Sequence, residues 1–159
     1  MSETNNAFSR KSSASSTIVS FRQATISDRT FLLTLRKASM NEHLINAGIY
    51  LDDVGHMQRI DEYFSDSQII LYQDMPIGLI KLGQFPGTIH IRQFQLMPQY
   101  HGLGIGSRVL LLIKRKAQEK QLSISLNVLL NNPAKHLYLR HDFVIIGGNE
   151  LEHAMRWLG

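Results

Sequence analysis

The sequence predicts an α/β (α+β) fold: a mixed, mostly antiparallel central sheet of about seven strands, with one parallel βαβ unit and helices on both faces. Three patterns lead there. Strand-like runs at 68–72, 77–82 and 88–96 follow one another across short turns, as in an antiparallel meander. A strand, an amphipathic helix and a second strand then fill residues 88–129, and such a unit closes right-handed with its strands parallel. Two more amphipathic segments precede the meander, and a hairpin pattern ends the chain.

In chain order, residues 1–16 (MSETNNAFSRKSSASS) are polar and serine-rich. They hold too little apolar surface to offset the entropy of ordering, so a flexible tail is expected there, with one domain over 17–159. Ile18, Val19 and Phe21 read as the first strand. Ser27 and Asp28 supply an N-cap for a helix with Phe31, Leu32, Leu35 and Ala38 on one side. A second helix is expected over Asp52 to Phe64, where Val54, Met57, Ile60 and Phe64 recur at helical spacing behind two aspartates that suit a helix N-terminus.

The meander turns at Asp74-Met75-Pro76 and at Phe85-Pro86-Gly87. From Ile105 to about Gln118, Ile105, Val109, Leu112, Ile113 and Lys116 share a helical face, and Ser123 to Leu129 alternates like a strand. A short helix over Pro133 to Arg140 follows, then strands at 143–146 and 151–157 joined at Gly147-Gly148-Asn149. No internal repeat is present.

Composition narrows the function classes. With 43% hydrophobic and 19% charged residues, the 159-residue chain can bury a core without disulfides or a structural metal. The absence of cysteine excludes a disulfide framework, a Cys-ligated metal and a thiol nucleophile. No apolar run reaches membrane-span length and no signal-peptide core opens the chain, so a cytoplasmic location is expected. Net charge is +4, unevenly spread. Residues 28–66 carry seven acids against four bases, whereas 92–120 carry six bases against one acid. The acidic half suits a cationic ligand and the basic half an anionic one, with solvated surface as the bland alternative.

The most informative run is Leu96-Met97-Pro98-Gln99-Tyr100-His101-Gly102-Leu103-Gly104-Ile105-Gly106-Ser107. Three alternate glycines between a strand and a basic helix free successive backbone N–H groups to converge on one anion at the positive end of the helix dipole. A pyrophosphate cradle is expected. Neither familiar phosphate loop fits: Ser107 stands where a dinucleotide fingerprint needs its third glycine, no acid follows at Asn127 to Asn131, and the Walker pattern is absent.

These residues resemble the GNAT superfamily of acyl-CoA-dependent N-acetyltransferases. The family's signature [QR]-x-x-G-x-[GA] aligns with His101-x-x-Gly104-x-Gly106, preceded by the usual lead-in at Pro98 and Gly102, and departs from it at His101. A later signature, N-x-x-A-x-x-L-Y-x-x-x-G-F, is matched from Asn131 through Ala134, Leu137, Tyr138 and Phe143, with Asp142 in place of glycine. The likeness covers about residues 17–158. It implies the GNAT fold, in which the parallel strands splay to form a cofactor cleft. It also implies acetyl transfer from acetyl-CoA (CoA) to a primary amine by direct attack in a ternary complex. The strand backbone at Phe94, Gln95 and Leu96 would pair with the pantetheine arm. The pyrophosphate would rest on amides of His101, Gly102, Leu103, Gly104, Ile105, Gly106 and Ser107, and Asn131 would hydrogen-bond the arm.

Tyr138 matches the family's tyrosine beside the thioester sulfur. A phenol (pKa about 10) is protonated at neutral pH and can donate to a departing thiolate (thiol pKa about 8.5); packing as a buried aromatic is the competing reading. The attacking amine must lose a proton, and Glu42, His43, Asp52, Asp53, Glu62, His90 and His153 are all candidate bases, none favoured over the others. The dispersed histidines give no metal-ligand spacing, so no metal is expected. The implied partners are acetyl-CoA and an amine-bearing small molecule, peptide or protein, with a homodimer left open and neither nucleic acid nor membrane. A non-catalytic acyl-CoA-binding or sensing domain is the alternative. A nucleic-acid-binding module is disfavoured because the basic helix lacks interleaved aromatics.

Overall fold

The computed structural model describes residues 18–159; the expected tail at 1–16 lies outside them. The elements run β1 (Val19–Gln23), α1 (Arg29–Asn46), α2 (Asp53–Asp61), β2 (Ser67–Tyr72), β3 (Met75–Phe85), β4 (Thr88–Leu96), α3 (Ile105–Glu119), β5 (Ser123–Leu129), α4 (Ala134–Arg140), β6 (Val144–Gly148) and β7 (Glu152–Trp157). The seven strands form one sheet in the order β1-β2-β3-β4-β5-β7-β6. Only β4 and β5 pair in parallel, as the βαβ reading requires. The first meander turn is tighter than expected: Gln73 and Asp74 alone form it, both at positive φ (53° and 61°), and this twist matches that of the flanking strands.

Each face of the sheet buries its own helices. Leu32 and Leu35 of α1 and Ile60 of α2 pack on Ile69 and Leu79. On the opposite face Ile105, Val109, Leu110, Ile113 and Ala117 of α3 pack on Ile80, Ile89 and Ile124, with Tyr138 and Phe143 beside them. The buried faces are turned slightly from those the spacing suggests. In α3, Leu110 and Ala117 are buried while Leu112 and Lys116 face outward, because a 15-residue straight helix presents the 3.6-residue stripe running through Ile105, Val109 and Ile113. In α2, His56 is buried and Val54 is exposed. In α1 the buried position after Leu35 is Arg36, and Ala38 faces out. Asp52 caps α2 as expected, accepting from the Gly55 amide at 2.8 Å.

The sheet opens at one defined place. Lys81 of β3 pairs with Gln93, but the next residue, Leu82, pairs with Ile91, so Arg92 is an extra residue on β4. A bulge bends its strand and increases the local twist. The parallel ladder to β5 stops there too, with Ile91↔Leu126 as its last pair, while Asn127–Leu129 stay paired with β7. Beyond this point β4 and β5 diverge, and the β4 edge from Arg92 to Leu96 is unpaired on the side facing the gap.

Candidate active site

The gap opens into two cavities, one at each end. The first, about 390 Å³, is lined by Phe94–Leu96, by Tyr100, His101, Gly102 and Gly104 of the loop, by Gly106 and Ser107, and by one side of α4. The three glycines serve different ends. Gly102 and Gly104 have φ of +76° and +79°, and a Cβ at either would meet nothing within 4 Å, so the loop's open face is bare backbone. Gly104 is the N-cap of α3, and no side chain caps that end. This leaves its first amides for a ligand. Gly106 is a packing position: a Cβ there would come within 3.1 Å of Leu137 Cδ2, so its smallness lets α4 approach α3.

The remaining sequence-predicted cofactor residues divide. The His101 ring lies 3.0 Å from the Leu96 carbonyl through Nε2, tying the loop to the end of β4. That bond makes Nε2 the protonated nitrogen, since a carbonyl only accepts. Ser107 Oγ lies 3.0 Å from His141 Nε2, and Lys114 donates to the His141 carbonyl at 3.1 Å, so α3 is tied to the end of α4. Burial and the nearby Lys114 and Arg140 hold His141 below the ordinary histidine pKa. Leu103 is exposed and Ile105 is buried in the core. Asn131 is exposed and lines neither cavity, whereas its neighbour Asn132 lines both and accepts from the Ala134 amide at 2.9 Å. Asp142, standing where the family signature has glycine, adopts φ +68°, the conformation glycine favours.

The second cavity, about 500 Å³, lies under α1 and α2 and is lined also by the β4 bulge and Asn127–Leu129 of β5. Phe94, Gln95 and Tyr138 line both cavities, so the seam between them runs past the Tyr138 ring. The ring packs on Phe143 at 5.6 Å between centroids. Its hydroxyl has no hydrogen-bond partner among the described residues, and burial alone pushes the phenol pKa well above its ordinary value.

The charge in this second cavity is the reverse of what the acidic stretch suggests. Most of the acids of 28–66 are engaged elsewhere: Asp28 with Arg22, Asp61 with Arg29, Asp53 with Lys37, Asp66 with Arg92, and Asp52 in its cap. The cavity wall instead carries Arg36, Arg59, Lys81 and Arg92 against Glu62 and Glu152. Lys81 is buried, and its ammonium donates to the carbonyls of Arg59 (3.3 Å), Ile60 (3.1 Å) and Glu62 (2.7 Å), closing the C-terminal end of α2. Burial and the charge of Arg36 lower its pKa to about 8. Arg36 Nε donates to His56 Nδ1 at 3.2 Å. Since arginine only donates, His56 carries its proton on Nε2, which lies 3.2 Å from Asn41 Oδ1.

Of the seven candidate bases, Glu62 and His90 reach the second cavity and His43 the first. His90 Nδ1 lies 2.8 Å from Ser125 Oγ, and burial followed by the charge of Arg92 lowers its pKa, so the ring is neutral at pH 7. Glu42, Asp52, Asp53 and His153 line neither cavity. Among the described residues no group of three or more His, Asp or Glu side chains gathers as a metal site. No helix there is long and apolar enough to cross a membrane.

A family model described as "Acetyltransferase (GNAT) family" matches residues 36–143. No curated protein sequence matches the chain. Among solved structures, the chain is similar to the PaiA N-acetyltransferase of Thermoplasma acidophilum in complex with coenzyme A, at 19% identity, TM-score 0.69, and coverage of 89% of this chain and 99% of that one. An acetyltransferase from Thermus thermophilus superposes at TM-score 0.71 with 15% identity, over 89% and 97% of the two chains. Naa50 of Arabidopsis thaliana, in complex with the bisubstrate analogue CoA-Ac-MVNAL, does so at 0.62 with 18% identity, over 87% and 97%. At these identities the likeness establishes the fold.

Proposed function

The chain belongs to the GNAT acetyltransferase family, and from that premise we propose that it transfers an acetyl group from acetyl-CoA to a primary amine by direct attack within a ternary complex. One observation supports the reading: two cavities, one with a bare glycine loop and one carrying several charged and polar side chains, share Tyr138 in their walls. The residues present suit acetyl-CoA. The open Cβ space at Gly102 and Gly104 admits a pyrophosphate to the backbone amides, and the unpaired β4 edge at Phe94–Leu96 offers hydrogen bonds to a pantetheine arm. The neighbours crystallised with coenzyme A or a CoA conjugate support the same donor.

Acetyl-CoA supplies a thioester carbonyl that an amine can attack and a thiol that can leave. The protein holds the two reactants together in a gap between strands, which converts a bimolecular encounter into a local one. Tyr138 holds its proton throughout the neutral range because burial disfavours the phenolate. A thiolate forming in the same buried seam is destabilised by the same lack of water, so its demand for a proton rises with the reluctance of the phenol to give one. No thiol nucleophile exists to form an acyl-enzyme. The test is acetyl-CoA-dependent thiol release across a panel of amines. Binding of CoA without turnover of any amine would favour the alternative of a sensing domain.

A further inference from the structure

A buried arginine faces the second cavity with most of its donors unused. Arg36 is 7% exposed, yet of its five N–H groups only the one on Nε has a partner, His56. The described residues provide no other hydrogen bond or ion pair for its guanidinium. Neither terminal nitrogen is sealed from solvent, so the unused fork opens into the cavity that Arg36 lines. The neighbouring acid, Glu62, pairs with Arg59 at 3.6 Å instead. Lys81, beside it, has spent its protons on three backbone carbonyls and adds a second positive charge without neutralising the first. Burying a guanidinium without a counter-ion is costly, and the ordinary remedy is a carboxylate in bidentate contact.

We infer that the acceptor of this enzyme carries a carboxylate as well as its amine, and that Arg36 receives that carboxylate on the floor of the second cavity. The inference rests on the acetyl-transfer reading only for calling this cavity the acceptor side. Burial first, and then the positive charge of Arg59, lower the Arg36 pKa to about 10, and the nearby Glu62 carboxylate, itself paired with Arg59, offsets this only in part. Gln95, 6% exposed and without a side-chain partner among the described residues, lies on the same wall as a neutral hydrogen-bonding group near Tyr138. Met40, Leu44, Ile49 and Leu51 form an aliphatic part of the same wall, against which a nonpolar portion of the acceptor can pack.

The test uses reaction-product mimics, so it does not need turnover. The CoA-saturated full-length protein is titrated calorimetrically with the N-acetyl derivatives of the common amino acids and with their matched carboxamides. At least one acid should bind about tenfold or more tighter than its amide, the scale of one charge-assisted bidentate contact. Arg36→Gln should bring that pair within about twofold, and Arg36→Lys should restore part of the gap. Equal binding of every acid and its amide, including no binding of either, overturns the inference, and this comparison on the unaltered protein stands even if the variants fold poorly. Acid-selective binding in a protein that releases no thiol with any amine upholds the carboxylate site while removing the transfer reading. Thiol release with amines together with indifferent acid and amide binding does the reverse.

Discussion

Replacing Tyr138 by Phe deletes one oxygen and nothing else. The ring keeps its packing on Phe143, at 5.6 Å between centroids, and its place on the seam between the cavities. Because the hydroxyl bonds to no other group of the fold, its loss should leave the melting temperature and CoA affinity close to those of the parent. The reaction should feel it. A positioned general acid contributes about 10²- to 10⁴-fold, which is roughly 3–5 kcal/mol of barrier. The kcat of thiol release at saturating acetyl-CoA and amine should therefore fall by that factor at pH 7. The deficit should narrow above about pH 8.5, where a thiolate leaves without a proton. No decline from ionisation of the phenol itself should appear in the parent near pH 10, because burial holds the phenol protonated. The assay is thiol capture by a chromogenic disulfide, with a rapid-mixing trace to show that no burst precedes the steady state. Equal kcat for parent and variant, with no burst, would return Tyr138 to a packing role.

Other outcomes follow from the same geometry. Gly104→Val should abolish the thermal shift produced by CoA, since it forces a β-branched residue to φ +79° and fills the open face of the loop. Lys81 has a folded pKa near 8 against 10.5 for the free side chain, so between those values the unfolded chain holds more protons. Stability should then rise by up to about 3 kcal/mol as pH climbs through that window, and Lys81→Met should flatten the rise in urea titrations at pH 7.5 and 9.5. Asp28, whose pKa is lowered to about 2 chiefly by its bond to Arg22, contributes stability that is whole above 3.8 and lost as pH falls toward 2. Asp28→Asn should remove up to about 2 kcal/mol of acid-dependent stability in melts between pH 5 and 2.

The seven strands and four helices were legible in the sequence because each repeats an apolar period long enough to outweigh local noise. The glycine loop was legible because few other arrangements need glycine at Gly102 and Gly104. The second cavity was not. Its acids stand close in sequence, yet Asp28, Asp53, Asp61 and Asp66 turn to arginines and a lysine that only the fold brings near. Its cations carry no motif, although a signal exists: Arg36 lies on the same stripe of α1 as Leu32 and Leu35, and Lys81 interrupts the apolar run of β3. A charge on an apolar face means either a solvated edge or a buried group with a task, and spacing cannot separate the two. The bulge at Arg92, which opens the cleft, also left no trace, since bulges depend on cross-strand register rather than composition.

Acetyl transfer from acetyl-CoA to an amine leaves a mark on both products. The direct measurement is mass spectrometry of an amine panel, weighted toward amines that bear carboxylates, incubated with the full-length protein and acetyl-CoA, with thiol release followed in the same tubes. At least one amine should gain the mass of an acetyl group in step with the CoA released, and should lose most of that gain with Tyr138→Phe. A protein that binds CoA but leaves every amine at its starting mass would contradict acetyl transfer.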